Sequence, residues 1–110
     1  MNRGAIKMVA IENLTRLELQ AMKAHETEYG DLLEEPEVIH PTGCDPIRIH
    51  RSTWTFAWID EVGISPKILR GVMSSLIKKD LISVSGDGNE ETISYTDEGR
   101  RISKILNGVE

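Results

Sequence analysis

The sequence predicts an α+β fold that is mostly helical. Three observations support this: two helical segments flank a tight turn at 63–65, two alternating segments flank a glycine-rich turn at 86–91, and further helical patterns lie near both ends. The chain has 110 residues, of which 39% are apolar and 28% charged. A chain of this length and composition forms one small domain with a buried core.

Residues 52–82 have the pattern of a short helix, a turn and a longer helix. Apolar residues recur in the second helix at i, i+3, i+4 and i+7, which places them on one side: Leu69, Val72, Met73 and Leu76. Ser65 is a favourable N-cap, because its hydroxyl can accept a hydrogen bond from a free backbone N–H, and Pro66 suits the first helical position. The second helix is therefore expected to start directly after the turn.

The other side of the second helix is polar and basic. Residues 65–79 include four basic residues and no acidic one, although the whole chain has a formal net charge of −5. Two helices joined by a short turn with glycine form a helix-turn-helix, whose second helix can enter the major groove of duplex DNA. Helix 66–79 would then contact bases or phosphates through Lys67, Arg70, Gly71, Ser74, Ser75, Lys78 and Lys79.

Three segments resemble motifs of a known family, in the family's order. WIDEVGIS (58–65) is similar to the L-A-x-x-L-G-I-S that ends the first helix of many bacterial helix-turn-helix domains. LIKKDLI (76–82) resembles L-x-K-K-G-L-[IV], and YTDEGRR (95–101) resembles L-T-x-E-G-R, of winged-helix regulators of the MarR-like kind. The resemblance, over roughly 15–106 except for the irregular segment 26–45, implies a winged helix: a three-helix core, a two-stranded C-terminal wing and an additional C-terminal helix.

The resemblance also divides the chain into an N-terminal extension (1–13), a winged-helix domain (14–106) and a tail (107–110). Thr15 and Glu18 have the spacing of a capping box, which predicts a first helix over 15–28. The packed core is expected to contain Trp58, Ile64, Leu69, Val72 and Leu76, with Leu17 of the first helix beneath them. Residues 5–11 fit either a short strand or a helix that docks on the domain or on a second copy.

The segment 26–45 is strongly acidic. It has seven acidic residues and no lysine or arginine, together with two prolines and Gly43. These features predict a loop over 26–46, with short strands near 37–40 and 47–49. The loop has three interpretations: a solvated surface, a docking surface for a protein, or a device that opposes binding at the basic helix.

The predicted wing consists of Ile82–Ser85, a turn and Thr92–Tyr95. Its tip contains Asp87, Glu90 and Glu91 and no cation, whereas the family often places a basic residue there against DNA. Phosphate would repel such a tip. Thr96 is the expected cap of the last helix, whose apolar side would contain Ile102, Ile105 and Leu106.

The sequence offers little support for other chemistry. His40, Cys44 and His50 lack the paired spacing of zinc sites, and no catalytic nucleophile motif or phosphate-binding loop is recognisable. We therefore expect no enzymatic activity, no cofactor and no metal. Trp54, Phe56 and Trp58 are expected in the core, with a stacking platform for bases as the alternative.

The single cysteine, Cys44, excludes an intrachain disulfide and is typical of a reducing compartment. The N-terminal apolar run is short and interrupted by Lys7, which is unlike a signal peptide or a membrane span. The sequence therefore predicts a cytoplasmic protein without a membrane partner.

Two functions remain. The first is a transcriptional regulator that binds double-stranded DNA as a homodimer, because paired half-sites multiply the discrimination of one short helix. The apolar residues available for a dimer interface lie in 1–11 and in the last helix. The second is a winged-helix protein-interaction module that binds a basic partner through its acidic loop and wing.

Overall fold

The computed structural model describes residues 11–109. They form a compact α+β fold with four helices and small antiparallel sheets, which confirms the predicted α+β class, whereas the winged helix stays a prediction. The helices are α1 (Arg16–Lys23), α2 (Thr55–Val62), α3 (Pro66–Lys78) and α4 (Asp97–Leu106). The strands are β1 (Glu26–Thr27), β2 (Gly30–Asp31), β3 (Glu37–Ile39), β4 (Ile47–Ile49), β5 (Ser52–Trp54), β6 (Ile82–Ser85) and β7 (Thr92–Tyr95). The segment 5–11, for which a strand or a helix was expected, lies outside the described residues except for Ile11.

Three sheets contain these strands. β1 pairs with β2, β3 pairs with β4, and the third sheet has the order β5-β7-β6. The β6–β7 hairpin has the predicted bounds, and Val84 lies opposite Ile93 in its register. β5 was not predicted, because its three residues run straight into α2 and are too short to show alternation. Its pairing with β7 connects the start of α2 to the hairpin.

The first helix begins as predicted and ends early. The capping box is present: Thr15 Oγ1 accepts from the Glu18 N–H at 3.1 Å, and a Glu18 carboxylate oxygen accepts from the Thr15 N–H at 2.8 Å. The prediction that the helix continues to residue 28 is wrong, because Ala24 has extended backbone and the chain then forms the β1–β2 hairpin. The Tyr95 hydroxyl contacts the carbonyl oxygens of Ala21 and Ala24, so the end of α1 is fixed by the sheet.

The helix-turn-helix pair has the predicted turn. Gly63 adopts the left-handed conformation with φ of 78° and ends α2, and α3 begins at Pro66. Ser65 occupies the N-cap position and its carbonyl accepts from the Leu69 N–H at 2.8 Å, but its hydroxyl makes no capping hydrogen bond. The predicted capping role of that hydroxyl is therefore wrong.

The core lies between the four helices and the three-stranded sheet. Trp58, Leu69 and Leu76 are fully buried, and Val72 and Ile64 pack against them half-buried. Leu17 is 38% exposed, so its predicted place in the core is wrong. The buried face of α1 consists instead of Glu18, Ala21 and Met22.

Two further predictions about the apolar residues require correction. On α4, Ile102 is buried as expected, whereas Ile105 is 50% exposed. Trp58 is buried and donates its indole N–H to the Tyr95 hydroxyl at 3.1 Å. Phe56 is 51% exposed and Trp54 is half-buried, so only one of the three predicted core aromatics lies at the centre. α2 is short, and its other side faces solvent.

The glycines Gly71 and Gly99 both lie within helices but in opposite environments. A Cβ at Gly71 would meet no atom within 4 Å, whereas a Cβ at Gly99 would overlap the backbone carbonyl oxygen of Leu81. Gly99 therefore lets the first turn of α4 approach the chain at the start of β6. Sequence reasoning gave no role to this glycine.

We expect Gly99→Ala to lower the free energy of unfolding by about 1–3 kcal/mol, because the added methyl group must displace backbone. Gly71→Ala is the matched control, and it should raise the free energy of unfolding by up to about 1 kcal/mol, because alanine favours a helix. Urea denaturation of both variants measures the two effects. Equal effects of the two substitutions would contradict the close packing at Gly99.

Candidate nucleic-acid interface

The basic face of α3 is open to solvent over most of its length. Leu69, Met73 and Leu76 hold the opposite face against the core, so the helix presents its other side outward. Five of the seven residues predicted to contact DNA are exposed: Lys67, Arg70, Gly71, Ser74 and Lys78. Ser74 donates its hydroxyl to the Arg70 carbonyl at 3.2 Å. A polar strip with three cations thus runs along the helix.

The other two residues, Ser75 and Lys79, turn towards α1. The Ser75 hydroxyl donates to one Glu18 carboxylate oxygen at 2.5 Å, and the Lys79 ammonium donates to the other at 2.7 Å. Glu18 is only 2% exposed. The expectation that Ser75 and Lys79 lie on the open face is corrected by these contacts, in which both serve to attach α3 to α1.

The ionisation of Glu18 is governed by opposing effects. Burial of the Glu18 carboxyl favours its neutral form and acts to raise its pKa. Hydrogen bonds from Lys79, Ser75 and the Thr15 backbone, with the charge of Lys79, outweigh burial and hold the pKa below its usual value. Glu18 is therefore an anion at neutral pH, and its charge is matched inside the fold.

Arg70 contacts the β6–β7 hairpin. Its guanidinium donates to a Glu91 carboxylate oxygen at 2.9 Å, and the side chains of Arg70 and Glu91 are 53% and 12% exposed. Arg70 therefore lies on the exposed basic face, as expected, but is also paired with this hairpin. The acidic turn reaches the basic face at this residue, because β6 packs against α3 and Glu91 lies directly before β7, at the other end of the turn.

The acidic loop contacts another part of the chain. Glu34 lies 3.4 Å from Arg51, and the Glu35 carboxylate lies within 4 Å of both Arg100 and Lys104 on α4. These ion pairs connect the loop to α4 and to the residue that precedes β5. The basic strip on α3 is thus approached by the β6–β7 hairpin through Glu91, whereas these glutamates of the loop pair elsewhere.

Two apolar residues of α3 were missed by sequence reasoning. Ile68 is 54% exposed and Ile77 is 47% exposed. At 100° per residue, they lie at the two margins of the basic strip. Neither isoleucine was assigned to the predicted buried face or to the predicted basic face of this helix, although both fall outside the i, i+3, i+4, i+7 pattern of the buried face.

The aromatic residues outside the core form a second surface feature. Phe56 stacks on Trp54, with ring centroids 6.2 Å apart and planes 15° apart. The Tyr29 and Phe56 rings meet edge to face, with centroids 5.9 Å apart and planes 72° apart. Tyr29 was not considered from the sequence, because it lies in a segment predicted to be loop. The β1–β2 turn brings it to α2.

Neither metal binding nor membrane insertion gains support from the described part of the chain. Within residues 11–109, no three or more His, Cys, Asp or Glu side chains are grouped so that they could hold a metal ion. None of the helices described there has the length and apolar character needed to cross a membrane.

Comparisons of the chain with models of known protein families, with curated proteins and with solved structures find no match.

Proposed function

We propose that this protein is a winged-helix regulator of transcription that binds duplex DNA with α3 in the major groove. The observation that carries the proposal is the exposed strip of Lys67, Arg70 and Lys78 on a helix that has no carboxylate of its own. The order of elements supports it, since a helix-turn-helix is followed directly by a hairpin that shares a sheet with the strand before α2. That order corresponds to a helix-turn-helix with a wing.

The strip has the parts that groove binding requires. Arg70 can pair with the O6 and N7 atoms of guanine, while Lys67 and Lys78 reach phosphates. Gly71 leaves open space at the centre of the strip, which permits a close approach of the helix backbone. Ile68 supplies an apolar contact of the kind that thymine methyl groups accept.

Glu91 makes the proposed contact of Arg70 conditional. The Arg70 guanidinium must leave the Glu91 carboxylate before it can donate to a base. A guanine with two acceptors can replace the carboxylate, whereas a phosphate met at random gives a single contact. The ion pair would therefore penalise non-specific binding more than binding to a correct site.

The decisive experiment selects preferred duplexes from a random library and measures affinity by mobility shift. Arg70→Ala should weaken binding to the selected duplex by roughly 1–3 kcal/mol and relax specificity at one base pair. Lys78→Ala should weaken all sequences alike and reduce the salt slope by about 1. Glu91→Gln should raise the affinity for random duplexes by up to about fivefold, which corresponds to the free energy of an exposed ion pair.

Lys23→Ala is the matched control, because Lys23 is exposed at the end of α1 beside Asn107 and is not part of the basic strip, so its loss should leave affinity unchanged. Lys79 and Ser75 are excluded as contact tests, since their replacement disturbs the attachment of α3 to α1. A purified chain without duplex affinity at about 50 mM salt would refute the proposal, because even non-specific cationic binding is strong there.

We include a homodimer in the proposal. The exposed Ile105 on α4 supplies an apolar residue for a two-fold interface, to which residues 1–11 would add. Sedimentation of the full chain should give twice the monomer mass at micromolar concentration, and deletion of 1–11 should shift it towards the monomer. A monomer unaffected by the deletion would exclude this interface.

The β3–β4 hairpin favours a second candidate function, a winged-helix module that binds protein. Four aliphatic residues of this hairpin are each 40–50% exposed: Val38, Ile39, Ile47 and Ile49. An exposed two-stranded hairpin with open edges can accept a strand from a partner. With the acidic loop and wing, it would suit a basic partner chain. Absence of duplex affinity together with binding of lysine-rich peptides to the hairpin would establish this alternative.

A further inference from the structure

An open cleft lies between the β1–β2 turn and the outer face of α2. Its volume is about 420 Å³, within the range of small-molecule sites. Tyr29 projects from the turn, and Phe56 projects from the first turn of α2. Neither the basic strip of α3 nor the β6–β7 hairpin contributes a residue to the cleft.

Two aromatic rings form the apolar part of the cleft. Tyr29 and Phe56 meet edge to face, and each remains 51% exposed. Phe56 is supported from behind by Trp54, which stacks nearly parallel to it. In this packing the planes of the Tyr29 and Phe56 rings meet at 72°, and both rings are accessible from the cleft.

The charged residues that line the cleft are all acidic. Glu28, Asp60 and Glu61 line it, and no lysine, arginine or histidine does. Within residues 11–109, none of these three carboxylates takes part in an ion pair. Carboxylates and aromatic faces both attract positive charge.

We propose that this cleft binds a small organic cation, an alkylated ammonium compound, from solution. The alkyl groups would lie on the Phe56 and Tyr29 rings, and the positive charge would face Asp60 and Glu61. Quaternary ammonium groups are weakly hydrated and are recognised by aromatic surfaces in this way. A metal ion suits the cleft less well, because aromatic rings supply no ligand atoms. The proposal is independent of DNA binding.

The test uses the full chain labelled with nitrogen-15 and three soluble probes: tetramethylammonium, choline and benzyltrimethylammonium. We expect concentration-dependent shifts at Tyr29, Phe56 and the Trp54 indole, and none at the buried Trp58 indole. The neutral isostere of choline, 3,3-dimethylbutan-1-ol, should bind about tenfold more weakly, because it keeps the shape and loses the charge.

Two variants separate the aromatic contribution from the charge. Phe56→Leu keeps an apolar side chain and removes the aromatic face, and Asp60→Asn with Glu61→Gln keeps the shape and removes two charges. Each should lower the affinity for the tightest-binding cation by about tenfold. Ile77→Ala, which changes an exposed apolar residue on α3, should leave that affinity unchanged. Unaltered spectra away from the cleft establish that the variants fold.

Three results would overturn the proposal. The first is that none of the three cations shifts the cleft residues. The second is equal affinity for choline and its neutral isostere, which would indicate a purely apolar surface. The third is equal binding by the wild type and the Phe56→Leu chain, which would place the cation at carboxylates elsewhere.

Discussion

Replacement of Leu76 by alanine is expected to lower the free energy of unfolding by about 2–5 kcal/mol. The Leu76 side chain is fully buried in the core between α3 and the rest of the domain, so its loss removes apolar contacts and leaves a cavity. Urea or guanidinium denaturation measures the change, provided that the slope with denaturant stays the same.

Ile77→Ala is the control for Leu76→Ala. The two residues are adjacent on α3 and similar in size, but Ile77 is 47% exposed. A surface change of this kind usually alters stability by no more than about 0.5 kcal/mol. Comparable losses at 76 and 77 would mean that α3 is rotated from the orientation described above.

Lys79→Ala is expected to lower the free energy of unfolding by about 3–5 kcal/mol, although the Lys79 side chain is about one-third exposed. Removal of the ammonium group leaves the Glu18 carboxylate, which is 2% exposed, without its counter-charge. Glu18→Ala should cost less, because the Lys79 ammonium that remains can reach water. The asymmetry between the two single variants, measured by denaturation at neutral pH, is the distinguishing result.

The stability supplied by Glu18 should depend on pH in one direction. Its pKa is lower in the folded chain than in the unfolded chain, so ionised Glu18 stabilises the fold at pH values above the usual glutamate pKa. This contribution is lost as the pH falls through the lowered pKa of the folded state. The difference in stability between wild type and Glu18→Gln should shrink with acidification, and a constant difference would exclude ionisation as its source.

Much of the backbone could be predicted because its signals are local. Four features each depend on residues a few positions apart: the turn at Gly63, the start of α3 at Pro66, the β6–β7 hairpin and the cap at Thr96. The capping box at Thr15 is equally local. Such signals do not require knowledge of what the element packs against.

The errors arose where a distant part of the chain decides the outcome. Glu18 was expected only in the capping box, yet its side chain lies inward because α3 brings Ser75 and Lys79 to it across 57 and 61 positions. With Glu18, Ala21 and Met22 on the buried face of α1, Leu17 lies at its margin and is 38% exposed. The partner of Arg70 is likewise set by the path of β7, which no pattern within α3 indicates.

The β3–β4 hairpin holds the chain's only thiol. Cys44 is exposed in the turn between the two strands, and Glu37 and Ile49 lie opposite each other at the other end. A maleimide reagent would therefore attach one fluorescent or paramagnetic label at a known point of the natural sequence. Such a label would report distances between hairpin tips in an assembly of two chains without any engineered cysteine.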